Sequence, residues 1–322
     1  MGVDLFFVLS GFLITGILLD SVKSNRYYVN FYTRRILRIF PLYYFVLALF
    51  TILFTERLLP SFKPSSTLAQ LSYWLYLQNW LTLFKIAPTK ILGHFWSLAI
   101  EEQFYLIWPL LIFFASKHKA VLRLCIIFIG IALVSRLLFV YYDKPAYFFT
   151  FSRMDTLALG AIAAYLLRQY GTLQHFNQTA LYSGVFSLIA ILVVAFTQQG
   201  FDGHNHIVLI YGLLPLAIFF TCILILTITS NTSNFLRKVF QNTLLRQIGT
   251  ISYGIYIFHW PIIVLIQDHW NISSNFWISQ ISFVIVITIL SFLIAWLSYH
   301  LFEIRFLQLK DKLAPTYTLE TD

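Results

Sequence analysis

Long uninterrupted runs of apolar residues constrain this chain more than any other feature. Several reach about 20 residues, the length at which an α-helix crosses the hydrocarbon core of a bilayer. Only 11% of the residues are charged, whereas a soluble domain carries roughly 25%. So few charges cannot cover a water-facing surface, and the runs lack the alternation over about ten residues that marks a membrane β-barrel. The sequence therefore predicts an all-α, polytopic membrane helix bundle.

Nine segments are predicted to span the membrane, and a tenth segment is ambiguous. The ambiguous stretch, residues 68–84, is aromatic and amphipathic, and Gln70, Gln78 and Asn79 interrupt it. We expect it to form an interfacial or re-entrant helix in an outer loop. The nine predicted spans are residues 4–20, 37–54, 96–115, 122–142, 153–168, 180–196, 207–229, 248–267 and 276–302.

The distribution of basic residues between the loops predicts the orientation. If residues 68–84 do not span, fifteen basic residues lie on one side of the membrane and six on the other. If they do span, most of this asymmetry disappears. Because cytoplasmic loops carry the excess of Lys and Arg, we expect the chain to begin outside and to end in the cytoplasm. The net charge of +9 then reflects topology and the lipid bilayer, and no nucleic-acid partner is expected.

Seven ionisable residues fall within the predicted spans or at their ends, where a charge is costly and marks a candidate functional site. In the predicted topology, all of them except His259 come from four helices and gather in one layer of the outer leaflet. Two interpretations are open: ion pairs that hold the bundle together, or a polar cavity that contains an active site. The seven residues are Asp4, Glu101, Glu102, Arg136, Arg153, Asp155 and His259.

The densest of these segments reads HFWSLAIEEQFYLIWPLL and contains two adjacent glutamates. Neighbouring residues on an α-helix point about 100° apart, so Glu101 and Glu102 cannot face the same partner. We expect one of them to pair with Arg136 or Arg153 and the other to be catalytic. Pro109 removes a backbone hydrogen bond later in the same helix and is expected to kink it.

The segment RMDTLALGAIAAYLLR combines charges with small residues. Arg153 and Asp155 are two apart and do not face each other on a helix, so each is expected to find its partner elsewhere. Gly160 and Ala164 are four apart, a spacing of small residues that lets membrane helices pack closely.

Two further segments carry polar groups. In YTRRILRIFPLYY, the residues Arg34, Arg35 and Arg38 begin a span on the cytoplasmic side. They are typical of a topological anchor, but Arg35 and Arg38 share one face and also suit capture of phosphate groups.

In ISYGIYIFHWPI, the residues Tyr253, Tyr256 and His259 lie three apart and share roughly one helix face. The histidine is either a packing residue or part of a polar site with the tyrosines.

The motifs taken in order resemble the membrane acyltransferase 3 family, bacterial enzymes that O-acylate surface sugars and related molecules. The resemblance covers essentially the whole chain. It is carried by GVDLFFVLSGFLIT, RRILRIFPLYY, FWSLAIEEQFYLIWPLL, RMDTLALGAIAA, ISYGIYIFHWPI and SYHLFEIRF.

The resemblance implies an integral acyltransferase of the bacterial inner membrane that moves an acyl group, most simply acetyl, from acyl-CoA to a hydroxyl of a glycan or lipid-linked sugar. It implies no bound cofactor and no metal. The residues expected at the catalytic centre are Asp4, Glu101, Glu102, Arg153, Asp155, Tyr253 and His259, of which the family motifs carry Asp4, one of the two glutamates and Tyr253. Those expected at the acyl-CoA site are Arg34, Arg35, Arg38 and Ser10, and the resemblance favours phosphate binding by Arg35 and Arg38.

The family pattern also implies a domain of ten helices, of which this chain carries nine. The family's general-base histidine, with an arginine before it, falls on the first helix, upstream of Met1, so we expect the chain as written to lack that base. The predicted membrane domain is residues 1–306, followed by a short cytoplasmic tail at 307–322. A transporter using the same charged layer, or a non-catalytic membrane protein, is the alternative to an enzyme.

Overall fold

The computed structural model confirms the predicted all-α class. It describes residues 2–53, 65–84, 86, 89–115, 120–230, 238–239, 241–267 and 277–314, apart from the side chains of residues 277 and 278, and these ranges contain no strand. The main helices are α1 Gly2–Ser21, α2 Tyr27–Leu53, α3 Thr67–Trp74, α4 Gln78–Leu81, α5 Trp96–Ala115, α6 Ala120–Tyr141, α7 Met154–Tyr170, α8 Asn177–Thr197, α9 Leu213–Thr229, α10 Thr243–Gln267, α11 Trp277–Ser298 and α12 Ile304–Leu313.

Eight of the described helical segments are long and apolar enough to cross a membrane, and each overlaps one of the nine predicted spans. The ninth prediction corresponds to α7, which has 17 residues and is therefore about 25 Å long. Most residues in its first three turns are buried within the protein. The predicted tail includes the end of α12, and residues 315–322 lie outside the described residues.

The ambiguous segment at 68–84 is broken into short helices. It contains α3, α4 and a 3-10 turn at Thr82–Phe84, each far shorter than the roughly 20 residues that a span requires. Helix α3 begins where Ser66 Oγ accepts a hydrogen bond from the backbone N–H of Ala69 at 3.1 Å, as N-cap serines do. The segment therefore does not span as a single helix, in agreement with the prediction.

The helices group into two compact units, of which the first contains α1 and α5 to α9. Helix α7 is its centre and packs against α1, α6 and α9, while α8 packs on α9. Helix α5 is joined to α1 by a hydrogen bond that Trp108 Nε1 donates to Thr15 Oγ1 at 2.8 Å. This arrangement brings the charged ends of α1 and α7 side by side.

The contact of α1 with α7 is a close approach of two backbones. A Cβ atom added at Gly160 would stand 2.0 Å from the carbonyl oxygen of Val8, and one at Gly11 would stand 2.0 Å from that of Leu157. No side chain fits at either position without moving a helix. The predicted use of Gly160 for close packing is confirmed.

The second unit contains α2 to α4 and α10 to α12. Helices α10 and α11 pack together, and α12 packs on α2. The short helix α3 is held against α2 because the hydroxyl of Tyr43 donates to the carbonyl oxygen of Tyr73 at 2.7 Å. A π-helical turn at Tyr299–Glu303 joins the last long helix to α12.

Candidate functional site

One deeply buried ion pair joins the first turn of α1 to the start of α7. Arg153 Nη2 donates a hydrogen bond to Asp4 Oδ1. Arg153 is 0% exposed and Asp4 is 1% exposed, so both charges are removed from solvent. Such a pair compensates the desolvation of each partner, and removal of either leaves an uncompensated buried charge.

A second buried ion pair lies two residues further along the chain, in the first turn of α7. Arg136 Nη2, on α6, donates to Asp155 Oδ2 at 2.6 Å. The backbone N–H of Thr156 donates to the other carboxylate oxygen at 2.9 Å. The expectation that Arg153 and Asp155 find separate partners is confirmed. One glutamate was expected to pair with Arg136 or Arg153, whereas the ion pairs described here join both arginines to aspartates.

Both buried arginines retain hydrogen-bond donors that no described residue accepts. The Nε and Nη1 atoms of Arg153 and of Arg136 are buried and have no partner among the described residues. Because an unsatisfied buried donor is costly, these N–H groups are suited to an oxygen acceptor from a ligand or from water. The arginines are therefore both ion-pair partners and candidate binding groups.

A chain of hydroxyl groups leads to Glu101 in the same unit. The hydroxyl of Tyr105 donates to Glu101 Oε1, and Ser10 Oγ lies 2.7 Å from the same tyrosine oxygen. Since the tyrosine proton points to the carboxylate, Ser10 is the donor to Tyr105. Glu101 is buried and Glu102 is half-buried, as two side chains that point in different directions would be.

The sequence interpretation missed Tyr147, which covers the Arg153–Asp4 pair. The guanidinium carbon of Arg153 lies 4.8 Å from the centre of the Tyr147 ring, a cation–π distance. Trp96 contacts the same ring, with centroids 5.3 Å apart. Burial raises the pKa of Tyr147, against the lowering effect of Arg153, so its hydroxyl remains protonated at neutral pH. The residue lies in the loop before α7, and no spacing in the sequence identifies it.

A separate polar cluster in the second unit surrounds His94. The hydroxyl of Tyr256 donates to the backbone oxygen of His94 at 2.7 Å, and the His94 Nε2 lies 3.2 Å from the oxygen of Ile257. The rings of His94 and His259 are 5.3 Å apart. His94 is a second residue that the sequence interpretation missed, although it directly precedes the Phe-Trp-Ser motif. By contrast, the hydroxyl of Tyr253 donates to the backbone oxygen of Ile39 at 2.9 Å. This hydrogen bond joins α10 to α2.

The three arginines in the first half of α2 differ in their surroundings. Arg34 Nη1 donates to the backbone oxygen of Ala314 at 2.6 Å and lies 3.5 Å from Asp311 Oδ1. Arg34 thus holds the end of α12, while Arg35 is half-buried and Arg38 is exposed. Of the three, Arg38 is the most open to a solvent-borne phosphate.

The predicted site residues divide between the two units, and their catalytic or donor-binding roles remain predictions. The first unit brings together Asp4, Ser10, Glu101, Glu102, Arg153 and Asp155. The second contains Arg34, Arg35, Arg38, Tyr253 and His259.

A bundle of apolar helices that buries two Arg–Asp ion pairs and a Glu–Tyr–Ser chain defines an integral, multi-pass membrane protein with polar groups in its interior. The family model described as an acyltransferase domain matches residues 1–300, and the chain belongs to that family. The resemblance found in the sequence motifs is therefore confirmed.

Two curated relatives illustrate the similarity. The peptidoglycan O-acetyltransferase OatA of Listeria monocytogenes is 34% identical over 320 residues, which cover 91% of this chain and 50% of that protein. The O-acetyltransferase OatA of Staphylococcus aureus is 29% identical over 292 residues, which cover 84% of this chain and 47% of that protein. This chain therefore spans about half the length of these relatives. No solved structure matches it.

Proposed function

We propose that this protein is a membrane O-acetyltransferase that transfers an acetyl group to a hydroxyl of a cell-surface glycan. The family match supports acyl transfer, and the names of the relatives support an acetyl group and peptidoglycan as the class of acceptor. The observation that carries the proposal is the buried guanidinium of Arg153, which is paired with Asp4 and keeps two further N–H donors.

We assign to Arg153 the role of stabilising the negative charge that develops during the reaction. In acyl transfer, the acceptor oxygen attacks the acyl carbonyl carbon, and the carbonyl oxygen becomes an oxyanion. Preorganised donors in a site that excludes water stabilise such an oxyanion far better than water does. The two unused N–H groups of Arg153 provide that kind of donor, and Asp4 holds the guanidinium in place.

We assign to Glu101 the role of the general base that accepts the proton of the acceptor hydroxyl. As the new ester C–O bond forms and the C–S bond of a thioester donor breaks, one proton must move from the hydroxyl to the departing sulfur. The carboxylate of Glu101 is buried, and Tyr105 orients it, so it can accept this proton and release it to the thiolate. The products are the acetylated hydroxyl and the free thiol.

Acyl-CoA is the proposed donor, and it reaches the protein from the cytoplasm. Exposed Arg38 and half-buried Arg35 suit the phosphate groups of CoA because guanidinium groups bind phosphate oxygens in pairs. With this donor, we propose that the C-terminus lies on the cytoplasmic side of the bacterial inner membrane. A lipid-linked sugar is the alternative form of the glycan acceptor.

The function is tested by the substitution Arg153→Met in the full chain reconstituted in liposomes, with radiolabelled acetyl-CoA and a soluble peptidoglycan fragment. Loss of the oxyanion donors is expected to lower the transfer rate by about 10²- to 10³-fold. Arg153→Lys, which keeps the charge but loses the planar fork, is expected to recover only part of the rate.

The matched control is Arg168→Met. Arg168 pairs with Asp20 at 2.6 Å between the same two helices, but the side chains are 32% and 52% exposed, so its loss should change the rate by less than about twofold. The proposal is wrong if Arg153→Met, folded as judged by its thermal unfolding, transfers acetyl groups as fast as the control. It is also wrong if the wild-type chain transfers none.

A further inference from the structure

A cavity of about 330 Å³ lies in the second unit, between the start of α10 and the end of α11. The π-helical turn that follows α11 contributes two of its residues. We call this cavity the α10–α11 groove, and its main lining residues are Gln247, Ile251, Phe292, Trp296, Tyr299 and His300. The groups to which acetyl transfer is assigned, Arg153 and Glu101, belong to the first unit.

The α10–α11 groove is apolar along most of its length and opens to the bilayer. Ile251 is 5% exposed, whereas Phe292 and Trp296 are 37% and 45% exposed. Both helices belong to segments that are long and apolar enough to cross a membrane, so the medium that reaches these side chains is lipid. From residue 244 to residue 251 the groove follows α10 for about 10 Å, a third of the hydrocarbon thickness of about 30 Å. These dimensions suit part of one acyl chain.

The other end of the groove is polar and aromatic. His300 Nδ1 donates to the backbone oxygen of Trp296 at 2.9 Å, because a carbonyl oxygen can only accept. The His300 ring is 4.5 Å from the ring of Trp296 and 5.2 Å from that of Tyr299. Gln247 lines the groove from the start of α10. Since Trp and Tyr gather at the level of the lipid headgroups, we place this end of the groove at the membrane interface.

The charge beside the polar end is positive. Arg246 is exposed and precedes Gln247, and it shares a helix face with Thr250, which lines the groove. The sequences of α10 and α11 contain no Asp or Glu. The next acid along the chain, Glu303, is buried and accepts a hydrogen bond from Ser298 Oγ at 2.9 Å. No carboxylate of these two helices therefore competes with an anionic ligand for Arg246.

We propose that the α10–α11 groove binds one molecule of an anionic phospholipid. One acyl chain lies along Ile251, Phe292 and Trp296. The phosphate accepts charge-assisted hydrogen bonds from the guanidinium of Arg246 and a further hydrogen bond from the amide of Gln247. Basic groups beside a cleft between membrane helices recognise anionic headgroups in this way. A zwitterionic phospholipid has the same chains, but its cationic group weakens the attraction to Arg246.

The test uses the fluorescence of Trp296 in the full chain, reconstituted in nanodiscs of phosphatidylcholine. Brominated phosphatidylglycerol or brominated phosphatidylcholine is titrated into the discs, and bromine on an acyl chain quenches a tryptophan that the chain contacts. The signal that disappears in Trp296→Phe isolates the contribution of Trp296. We expect this contribution to be quenched at an about tenfold lower content of the anionic lipid than of the zwitterionic lipid.

Two variants with matched controls separate the headgroup contact from the chain contact. Arg246→Gln should abolish the preference for phosphatidylglycerol, whereas Arg305→Gln, at an exposed position of α12 outside the groove lining, should keep it. Thr250→Phe places a ring in the groove and should protect Trp296 from quenching. Val284→Phe, at a 62% exposed position of α11 outside the lining, should be quenched as the wild-type chain is.

Three results would overturn the proposal. The first is equal quenching of Trp296 by the two lipids in the wild-type chain, or a preference that survives Arg246→Gln. The second is equal quenching in Thr250→Phe and Val284→Phe, which would place the lipid outside the groove. The third is no quenching by either lipid, which would show that protein, such as a second copy of the chain, covers the groove. None of these measurements depends on acetyl transfer, so the proposed function is tested separately.

Discussion

Gly160→Ala tests how closely α7 is seated on α1, because position 160 faces the backbone of that helix. The new methyl group would stand 2.0 Å from the oxygen of Val8 and 2.8 Å from the nitrogen of Phe12. Both atoms belong to the backbone, so no side-chain rotation relieves the clash. The two helices must separate, and the separation loosens the contact that holds Asp4 beside Arg153.

The size of the effect follows from that distance. An ordinary contact begins at 3.4 Å, so the helices must move apart by about 1.4 Å. Overpacking in a close-packed interior costs about 1–3 kcal/mol, and contact with a backbone atom favours the upper value. Alanine in place of helical glycine returns at most about 1 kcal/mol. The net loss of stability for Gly160→Ala is about 2 kcal/mol.

The two cysteines make the unfolding of the first unit measurable. Cys125 is 0% exposed and Cys222 is 6% exposed, so a thiol-reactive fluorogenic dye reports their exposure as the protein is heated in detergent. Gly160→Ala should lower the apparent Tm by about 4 °C. Gly130→Ala, which meets open space, should leave it unchanged or raise it slightly.

A second glycine gives an internal check. Gly11 makes the reciprocal close approach to Leu157, so the double variant with alanine at positions 11 and 160 should lose less stability than the two single losses added together. One separation of the helices accommodates both methyl groups. A Tm for Gly160→Ala equal to that of Gly130→Ala would show that α1 and α7 do not meet in this way.

Two further predictions concern hydrogen bonds within the first unit and use the same dye assay. Arg136→Met leaves the carboxylate of Asp155 buried without its charge partner and should lower the stability by about 3–5 kcal/mol. Arg136→Met combined with Asp155→Leu should recover most of that stability. Equal losses of stability in the single and the double variant would contradict a buried ion pair. Trp108→Phe removes the 2.8 Å hydrogen bond to Thr15 and should cost about 1 kcal/mol. Thr15→Val should cost a similar amount, and fully additive losses in the double variant would show that the two side chains do not interact.

The membrane class and the positions of the helices follow from the sequence because they depend on local composition. A run of about 20 apolar residues has few alternatives to a transmembrane helix, and interruptions by polar residues identify the broken segment at 68–84. The ionisable residues could also be singled out, because a charge inside a span is costly wherever its partner is. The separate partners of Arg153 and Asp155 follow from helix geometry alone.

The identity of those partners required the tertiary structure. Whether Arg153 meets Asp4 or a glutamate depends on how α1 and α7 cross, and that crossing is set by backbone contacts at Gly11 and Gly160. Tyr147 reaches Arg153 only because a loop folds back over the ion pair, and a loop has no periodicity that a sequence can display.

The sequence by itself therefore determined the membrane bundle and the set of candidate charged residues, since hydropathy and charge are properties of each segment. Only the tertiary structure decided which charges pair, that Ser10 of α1 reaches Tyr105 of α5, and that a glycine at position 203 makes room for the Tyr147 ring. These contacts join segments that are far apart along the chain, and their geometry depends on packing between helices and loops.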